Sequence, residues 1–241
     1  MTNYEKTTSP TPWDKEKISV LDKGYVRLVD TLGDDLSIVN AARVSYDKES
    51  PEFSERDGRL LQFLLDEGHM SPLRHAALTF EVYAPLMVAR QWWKYAVGST
   101  FVDDQNGWNE SSRRYITENE EFYAPDVWRT APENSKQGSG PSMSEYDQQK
   151  WSSILQYMNE TALNTYERAL QAGMAPEQAR LFLPAYGMYV RWRWTVSLAA
   201  LLHFIQQRLG HDAQYEITAY AEAVKSLACG KFPQTFAKVF P

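Results

Sequence analysis

The chain has 241 residues, 43% of them hydrophobic and 13% aromatic, enough for one large domain or two small ones with a substantial core. A formal net charge of −6 at pH 7 disfavours a global electrostatic hold on nucleic-acid backbone or acidic lipid, but leaves room for a local basic pocket. The longest apolar stretches (76–89 and 196–205) are too short or too interrupted to cross a bilayer, and the polar opening MTNYEKTTSPTPWDKEK is no secretory signal. The only cysteine, Cys229, makes no internal disulfide, so a reducing, cytoplasmic setting is expected. Four histidines and one cysteine, with no close pair among them, predict no metal site.

Residues 1–17 read as a flexible tail and 18–241 as one folded unit. The run 18–29 is strand-like, with a turn at Asp22-Lys23-Gly24. Asp35 stands in N-cap position before a helical pattern of Leu36, Val39, Ala42 and Arg43. A helix is expected over 59–67, with Leu60, Leu61, Phe63, Leu64 and Leu65 apolar and Gly68 as its stop. Residues 76–83 alternate Leu78, Phe80 and Val82 inward, as a half-buried strand does, and Pro85 suits the first turn of a helix toward Tyr95. The stretch 98–117 has turn formers, hydroxyls, acids and two arginines but no period, so a binding loop is expected there. A plainer loop covers 130–142. Ser144 with Asp147 caps a long helix to about Ala172, closed by Gly173. A short helix over 176–183, a strand over 190–195, and helices over 198–208 and 213–228 complete the pattern. The expected class is α+β, an antiparallel sheet packed with helices, the second half helix-rich.

Three arginine-bearing segments offer chemistry. Asn109-Glu110-Ser111-Ser112-Arg113-Arg114-Tyr115 combines hydroxyls with guanidinium forks, which suits a phosphate or carboxylate, or equally a solvated turn. Arg180 lies in an otherwise apolar short helix and needs a partner, either a ligand or an acidic neighbour. In HFIQQRLGHD, His203, Gln207 and His211 follow one helix face beside Arg208. Trp92-Trp93 and Arg191-Trp192-Arg193-Trp194 suggest core or subunit contacts before stacking sites. His69 and His75 flank a helix end and a strand start. The common nucleotide-loop and hydrolase signatures are absent. Cys229 is expected to be a buried small hydrophobe.

In order and spacing, these segments resemble the flavin-dependent thymidylate synthase family (ThyX). The resemblance runs from about residue 18 to the C-terminus through VLDKGYVRLVD, AARVSYD, EGHMSPLRHAALTFEV, APLMVARQWW, NESSRRY, QARLFLP and RWTVSLAALLHF with QQR. It implies a one-domain α+β fold and a homotetramer whose active sites draw on more than one subunit. It also implies FAD as cofactor, NADPH and methylenetetrahydrofolate as co-substrates, and dUMP as methyl acceptor. By position, Gln91 and Lys94 fall at the uracil and flavin. Glu110, Ser111, Ser112, Arg113 and Arg114 match the stretch that holds dUMP, with Ser112 and Arg114 as a paired hydroxyl and guanidinium. Arg180 matches a phosphate-side arginine given by a neighbouring subunit. Arg208 matches the arginine credited with favouring ionisation at the uracil N3. His69, Ser71, Arg74, Lys94, Tyr95, Glu110, Ser197 and His203 fall where family members touch the flavin or close its pocket.

The chain departs from the family signature of Arg-His-Arg, seven residues, then Ser. Its triplet is Lys94-Tyr95-Ala96, and fifteen residues, 97–111, precede Ser112. Lysine keeps a charge but loses the planar fork, and the inserted Asp103-Asp104 adds negative charge. One chemical point is independent of resemblance. Methylating C5 of a uracil requires that carbon to be nucleophilic, which classical thymidylate synthases achieve by cysteine attack at C6. With only Cys229 present, a cationic group near the N3–C4 edge is the alternative, and Arg208 is the candidate. The expected reaction is reductive methylation of dUMP to dTMP. The alternatives are a C5-methylase acting on UMP in modified-nucleoside synthesis, or an inactive homologue that binds nucleotide or flavin.

Overall fold

The structure is a computed structural model that describes residues 17–95, 108–110, 120–133 and 138–241. Its centre is a five-stranded antiparallel sheet in the order β1-β2-β3-β5-β4. These strands are β1 (Lys17–Val20), β2 (Gly24–Leu32), β3 (Ala77–Pro85), β4 (Trp108–Glu110) and β5 (Tyr189–Ser197). The helices are α1 (Asp35–Arg43), α2 (Glu55–Asp66), α3 (Leu86–Trp92), α4 (Glu145–Gln171), α5 (Pro176–Ala179), α6 (Leu198–Arg208), α7 (Tyr215–Cys229) and α8 (Pro233–Val239). The α+β class and antiparallel sheet expected from the sequence are both present. Among the described residues no helix is long and apolar enough to cross a membrane.

Period-2 patterning separates the faces of the sheet. In β3 and β5, Leu78, Phe80, Val82, Trp192, Trp194 and Val196 are buried in the main core. Phe80 and Trp194 are register partners and stack, with centroids 6.1 Å apart. On the other face Glu81 accepts from Arg27 Nη2 (2.9 Å) and Tyr25 Oη (2.9 Å), with Arg193 Nε 3.5 Å from its Oε2. Those three strands meet there as an Arg27–Glu81–Arg193 row. The adjacent Trp pairs divide by burial. Trp92 is fully enclosed, edge-on to Trp192 and Trp194 and stacked on Phe204, whereas Trp93 is exposed.

Several boundaries move for identifiable reasons. The N-cap of α1 is Asp34, whose carboxylate accepts from Ser37 N–H (2.8 Å), and not Asp35. Asp35 is buried and holds the start of α8, accepting from Gln234 N–H (2.8 Å), Thr235 N–H (3.0 Å) and Thr235 Oγ1 (2.6 Å). Helix α8 itself was not anticipated. Helix α2 begins four residues early because Ser54 and Asp57 close its first turn, Ser54 N–H donating to Asp57 at 3.0 Å. Phe63, expected on the apolar side of α2, is 52% exposed. Gly68 and Gly173 end their helices at φ values of 65° and 84°, where a side chain is disfavoured. Residues 176–183 split into α5 and a 3₁₀ turn, Arg180–Phe182, and the helix after Pro85 becomes a 3₁₀ turn at Trp93–Tyr95. The strand over 190–195 and the helix over 198–208 appear as β5 and α6. The aperiodic stretch is not all irregular, since Trp108–Glu110 pairs with β5. Cys229 is exposed, against the expected buried hydrophobe, because it ends α7 on the outer side.

Candidate functional site

Helix α6 carries the residues around which the site gathers. Its N-cap is Ser197, buried, with Oγ accepting from Ala200 N–H at 3.3 Å. Its last residue is Arg208, about 16 Å further along at 1.5 Å per residue. The two ends serve two groups of expected site residues.

At the C-terminal end, the Arg208 guanidinium lies over the Tyr95 ring, 4.9 Å from the centroid. The Arg208 Nε is buried and has no hydrogen-bond partner among the described residues. A buried guanidinium N–H without a partner carries a desolvation cost that a ligand acceptor would remove. Tyr95 also touches the His203 ring at 5.9 Å and meets Phe204 edge-on at 5.1 Å. The Thr218 hydroxyl donates to the carbonyls of both Arg208 (3.0 Å) and Gln214 (3.1 Å), tying the end of α6 to the start of α7. Gln91, from α3, donates its amide N–H to Gln214 Oε1. A 3₁₀ turn and α6 thus bring Tyr95, His203 and Arg208 together, and Gln91 of α3 is linked to them through Gln214 and Thr218. Lys94 is exposed on the adjoining 3₁₀ turn.

Toward the other end, His69, Ser71 and Arg74 line a cleft of about 590 Å³ with Ser45 and Ala42 of the α1 side. The Pro72–His75 turn that carries Arg74 packs against α1, α6 and β5. His69 meets the Phe63 ring edge-on at 5.7 Å. Hydroxyls, an imidazole and a guanidinium around an open cleft form a donor set suited to an anionic ligand.

The remaining expected residues do not join either group within the described chain. Arg180 is exposed, its Nε donating to the Glu177 carbonyl at 3.2 Å, and its turn packs on α4 and α5. Among the described residues its hydrogen-bond partner is this backbone carbonyl of α5. Glu110 is exposed on β4, opposite Trp192. Ser111, Ser112, Arg113 and Arg114 lie outside the described residues, as do Ala96 and Asp103-Asp104.

The sequence reading missed a polar network behind Gln91. Gln214 Nε2 donates to Glu216 Oε2 (2.7 Å), while Glu216 Oε1 accepts from Arg129 Nη2 (2.5 Å) and Tyr123 Oη (3.3 Å). Burial pushes the Glu216 carboxyl up, but the hydrogen bonds from Gln214 and Arg129 outweigh it and hold the group below the ordinary glutamate value. Burial, with the neighbouring Glu216 charge, pushes the Tyr123 phenol up, so it stays a donor. A signal was available: Glu216 sits one turn before Tyr220 and two before Val224 on the apolar face of α7, where an acid needs partners.

Comparison with known proteins shows the family. The family model described as "Thymidylate synthase complementing protein" matches residues 27–234. The chain is 40% identical over 220 residues to a flavin-dependent thymidylate synthase of Thermotoga neapolitana, covering 91% of this chain and 92% of that protein. It is 38% identical over 217 residues to one of Thermosipho africanus, covering 90% and 91%. Among solved structures, a UMP/dUMP methylase, PolB, from Streptomyces cacaoi bound with 5-Br dUMP aligns with a TM-score of 0.77 at 29% identity, covering 92% of this chain and 96% of that one. A family model spanning most of the chain, together with relatives alike over nine tenths of both lengths, makes this chain a member of the flavin-dependent thymidylate synthase family.

Proposed function

We propose that this chain is a thymidylate synthase that reductively methylates dUMP to dTMP with FAD bound and with NADPH and methylenetetrahydrofolate as co-substrates. The observation that carries the reading is Arg208. Its buried Nε lacks a partner among the described residues, its guanidinium lies over Tyr95, and the Thr218 hydroxyl ties its carbonyl to that of Gln214, the residue Gln91 meets. A fixed cation at the N3–C4 edge stabilises the negative charge that develops there as C5 becomes nucleophilic, so no cysteine is needed. Tyr95, in the position where the family carries histidine, lies against that cation and also meets the His203 ring.

The chain's residues fit a flavin. The cleft lined by His69, Ser71, Arg74 and Ser45 offers donors for a diphosphate, and His203 and Tyr95 offer flat rings at the other end of α6. FAD, when bound, supplies the hydride chemistry. The protein's part is to hold the nucleotide, orient it and stabilise charge. Arg180 is assigned to the nucleotide phosphate, Glu110 and the segment Ser111-Ser112-Arg113-Arg114 to dUMP, and Lys94 to the uracil and flavin, with Ser197 and Glu110 also on the flavin side. The exposure of Arg180 suits a residue given to a neighbouring subunit, in a homotetramer with shared sites. The catalytic domain is assigned to 18–241, the tail to 1–17, and the setting to the cytoplasm.

A second reading, methylation of UMP, is favoured by one specific finding, the likeness to the UMP/dUMP methylase of Streptomyces cacaoi. Mass analysis after anaerobic incubation with FAD, NADPH, methylenetetrahydrofolate and equal dUMP and UMP decides between them. Methylation of dUMP alone supports the synthase, and methylation mainly of UMP moves the enzyme to modified-nucleoside synthesis. Flavin binding without either product removes both in favour of a binding protein.

A further inference from the structure

Arg208 is the last residue of α6, and the last carbonyls of a helix have no N–H of their own helix to accept from. The Arg208 carbonyl is satisfied from outside: the Thr218 hydroxyl, on the first turn of α7, donates to it at 3.0 Å. The same hydroxyl lies 3.1 Å from the Gln214 carbonyl, one turn earlier along the chain. That second contact is what a threonine in a helix commonly makes, back to the carbonyl four residues before it. The contact to Arg208 is different in kind. It crosses from one helix to another and closes the connection 209–214 between them.

At the far end of the same residue, the guanidinium packs on the Tyr95 ring at 4.9 Å, and its buried Nε has no hydrogen-bond partner among the described residues. Ring and hydroxyl thus grip Arg208 at its head and at its root. Neither contact uses the Nε N–H, which stays available to an acceptor on a ligand. We infer that Thr218 is a positioning residue for Arg208: by capping the carbonyl of the last residue of α6 it keeps that end of the helix from fraying and fixes the point from which the side chain springs. The inference rests on the reading above that Arg208 stabilises charge developing on the base. A cation is worth most in the transition state when it does not have to move into place. Loosening its root therefore costs kcat before it costs KM.

The test is steady-state kinetics of the FAD-loaded enzyme with dUMP, kcat taken per bound flavin, together with a thermal melt of each protein. The set is wild type, Thr218→Val, Thr218→Ser, Arg208→Ala and the double variant of Thr218→Val with Arg208→Ala. Valine keeps the shape of threonine and removes the donor, whereas serine keeps the donor. The expected result for Thr218→Val is a kcat lowered about three- to tenfold, the worth of one hydrogen bond, with KM for dUMP little changed. Thr218→Ser should retain most of the wild-type kcat. In the Arg208→Ala background, Thr218→Val should lower kcat no further, although its effect on Tm persists. Thr218→Ala removes the same donor and serves should Thr218→Val fold poorly. A purely structural role would lower Tm and flavin content with kcat per flavin unchanged, or lower kcat by the same factor with and without Arg208, and either outcome overturns the inference. So does a loss in Thr218→Ser equal to that in Thr218→Val. Full activity in Arg208→Ala removes Arg208 from the mechanism and this inference with it. A wild-type enzyme that methylates no uracil nucleotide overturns the proposed function itself.

Discussion

The guanidinium of Arg208 lies over the ring of Tyr95 at 4.9 Å, joining the end of α6 to the turn that follows α3. Tyr95 stands where the family signature has a histidine between two arginines. The ring supplies a surface against which a cation packs, so the Arg208 guanidinium is held in one orientation although the triplet has changed. Replacing Arg208 by alanine should lower kcat by about two to three orders of magnitude, as loss of a preorganised charge-stabilising group does. The fold should survive, with Tm shifted by only a few degrees. Steady-state kinetics and a thermal melt of the same preparation check this, and full activity in R208A would remove Arg208 from the mechanism.

Tyr95 acts by holding Arg208, which separates two substitutions. Tyr95→Phe keeps the ring and should retain most activity. Tyr95→Ala removes the surface under the guanidinium and should weaken nucleotide binding by a factor matching about 0.5–2 kcal/mol. The comparison is of KM for dUMP in the two variants.

Asp35 carries three hydrogen bonds from the start of α8 and is buried. Asp35→Ala should cost about 1–3 kcal/mol, because it leaves the Thr235 N–H and hydroxyl in the interior without an acceptor. Asp34→Ala removes the exposed cap of α1 and should cost about 1 kcal/mol. Urea unfolding of both variants tests the order, and hydrogen exchange should show the loss in D35A centred on residues 233–239.

Trp92 and Trp93 are neighbours in sequence with opposite environments. Trp92→Ala opens a cavity among Trp192, Trp194 and Phe204 and should cost about 3–5 kcal/mol. Trp93→Ala, at an exposed position, should change the stability of the isolated subunit by about 0.5 kcal/mol or less. Chemical denaturation distinguishes the two.

Acid should destabilise the fold through three carboxylates. Burial raises Asp57, but hydrogen bonds from Ser54, Arg43 and Ser50 more than offset it, and its carboxyl is held well below the ordinary aspartate value. Glu81 and Glu216 are likewise raised by burial and held low by their donors, Arg27 and Tyr25 for Glu81, and Gln214 and Arg129 for Glu216. As pH falls, the unfolded chain therefore takes up these protons first. Their stabilisation is complete above about pH 5 and is lost progressively below about pH 4, through the lower folded-state values. Thermal melts from pH 7 to pH 3 should show a flat region and then a decline. In Asp57→Asn the neutral plateau should be lower and the acid decline shallower.

Sequence alone determined what local pattern and chain order encode. Period-2 alternation marked β3 and β5, 3.6-residue periodicity marked α6 and α7, a Ser144–Asp147 cap marked the start of α4, and glycines marked the ends of α2 and α4, because each depends on a few adjacent residues. The order of short motifs carried the family, since spacing along the chain is a property of the chain. Tertiary structure decided what depends on distant partners. Asp35 reads as a cap from its neighbours and becomes an anchor only because α8, some two hundred residues on, is brought to it. Strand β4 is three residues long and exists because β5 offers an edge to pair with. Phe63 and Cys229 look apolar in sequence, yet they point outward because other residues fill the faces by which α2 meets α1 and α8 and α7 meets the sheet. Most telling is Gln91. Its neighbours give no reason for either orientation of its amide, and the direction comes from Glu216 through Gln214, more than a hundred residues away. A hydrogen bond is read from both of its ends, and only the folded chain supplies the second end.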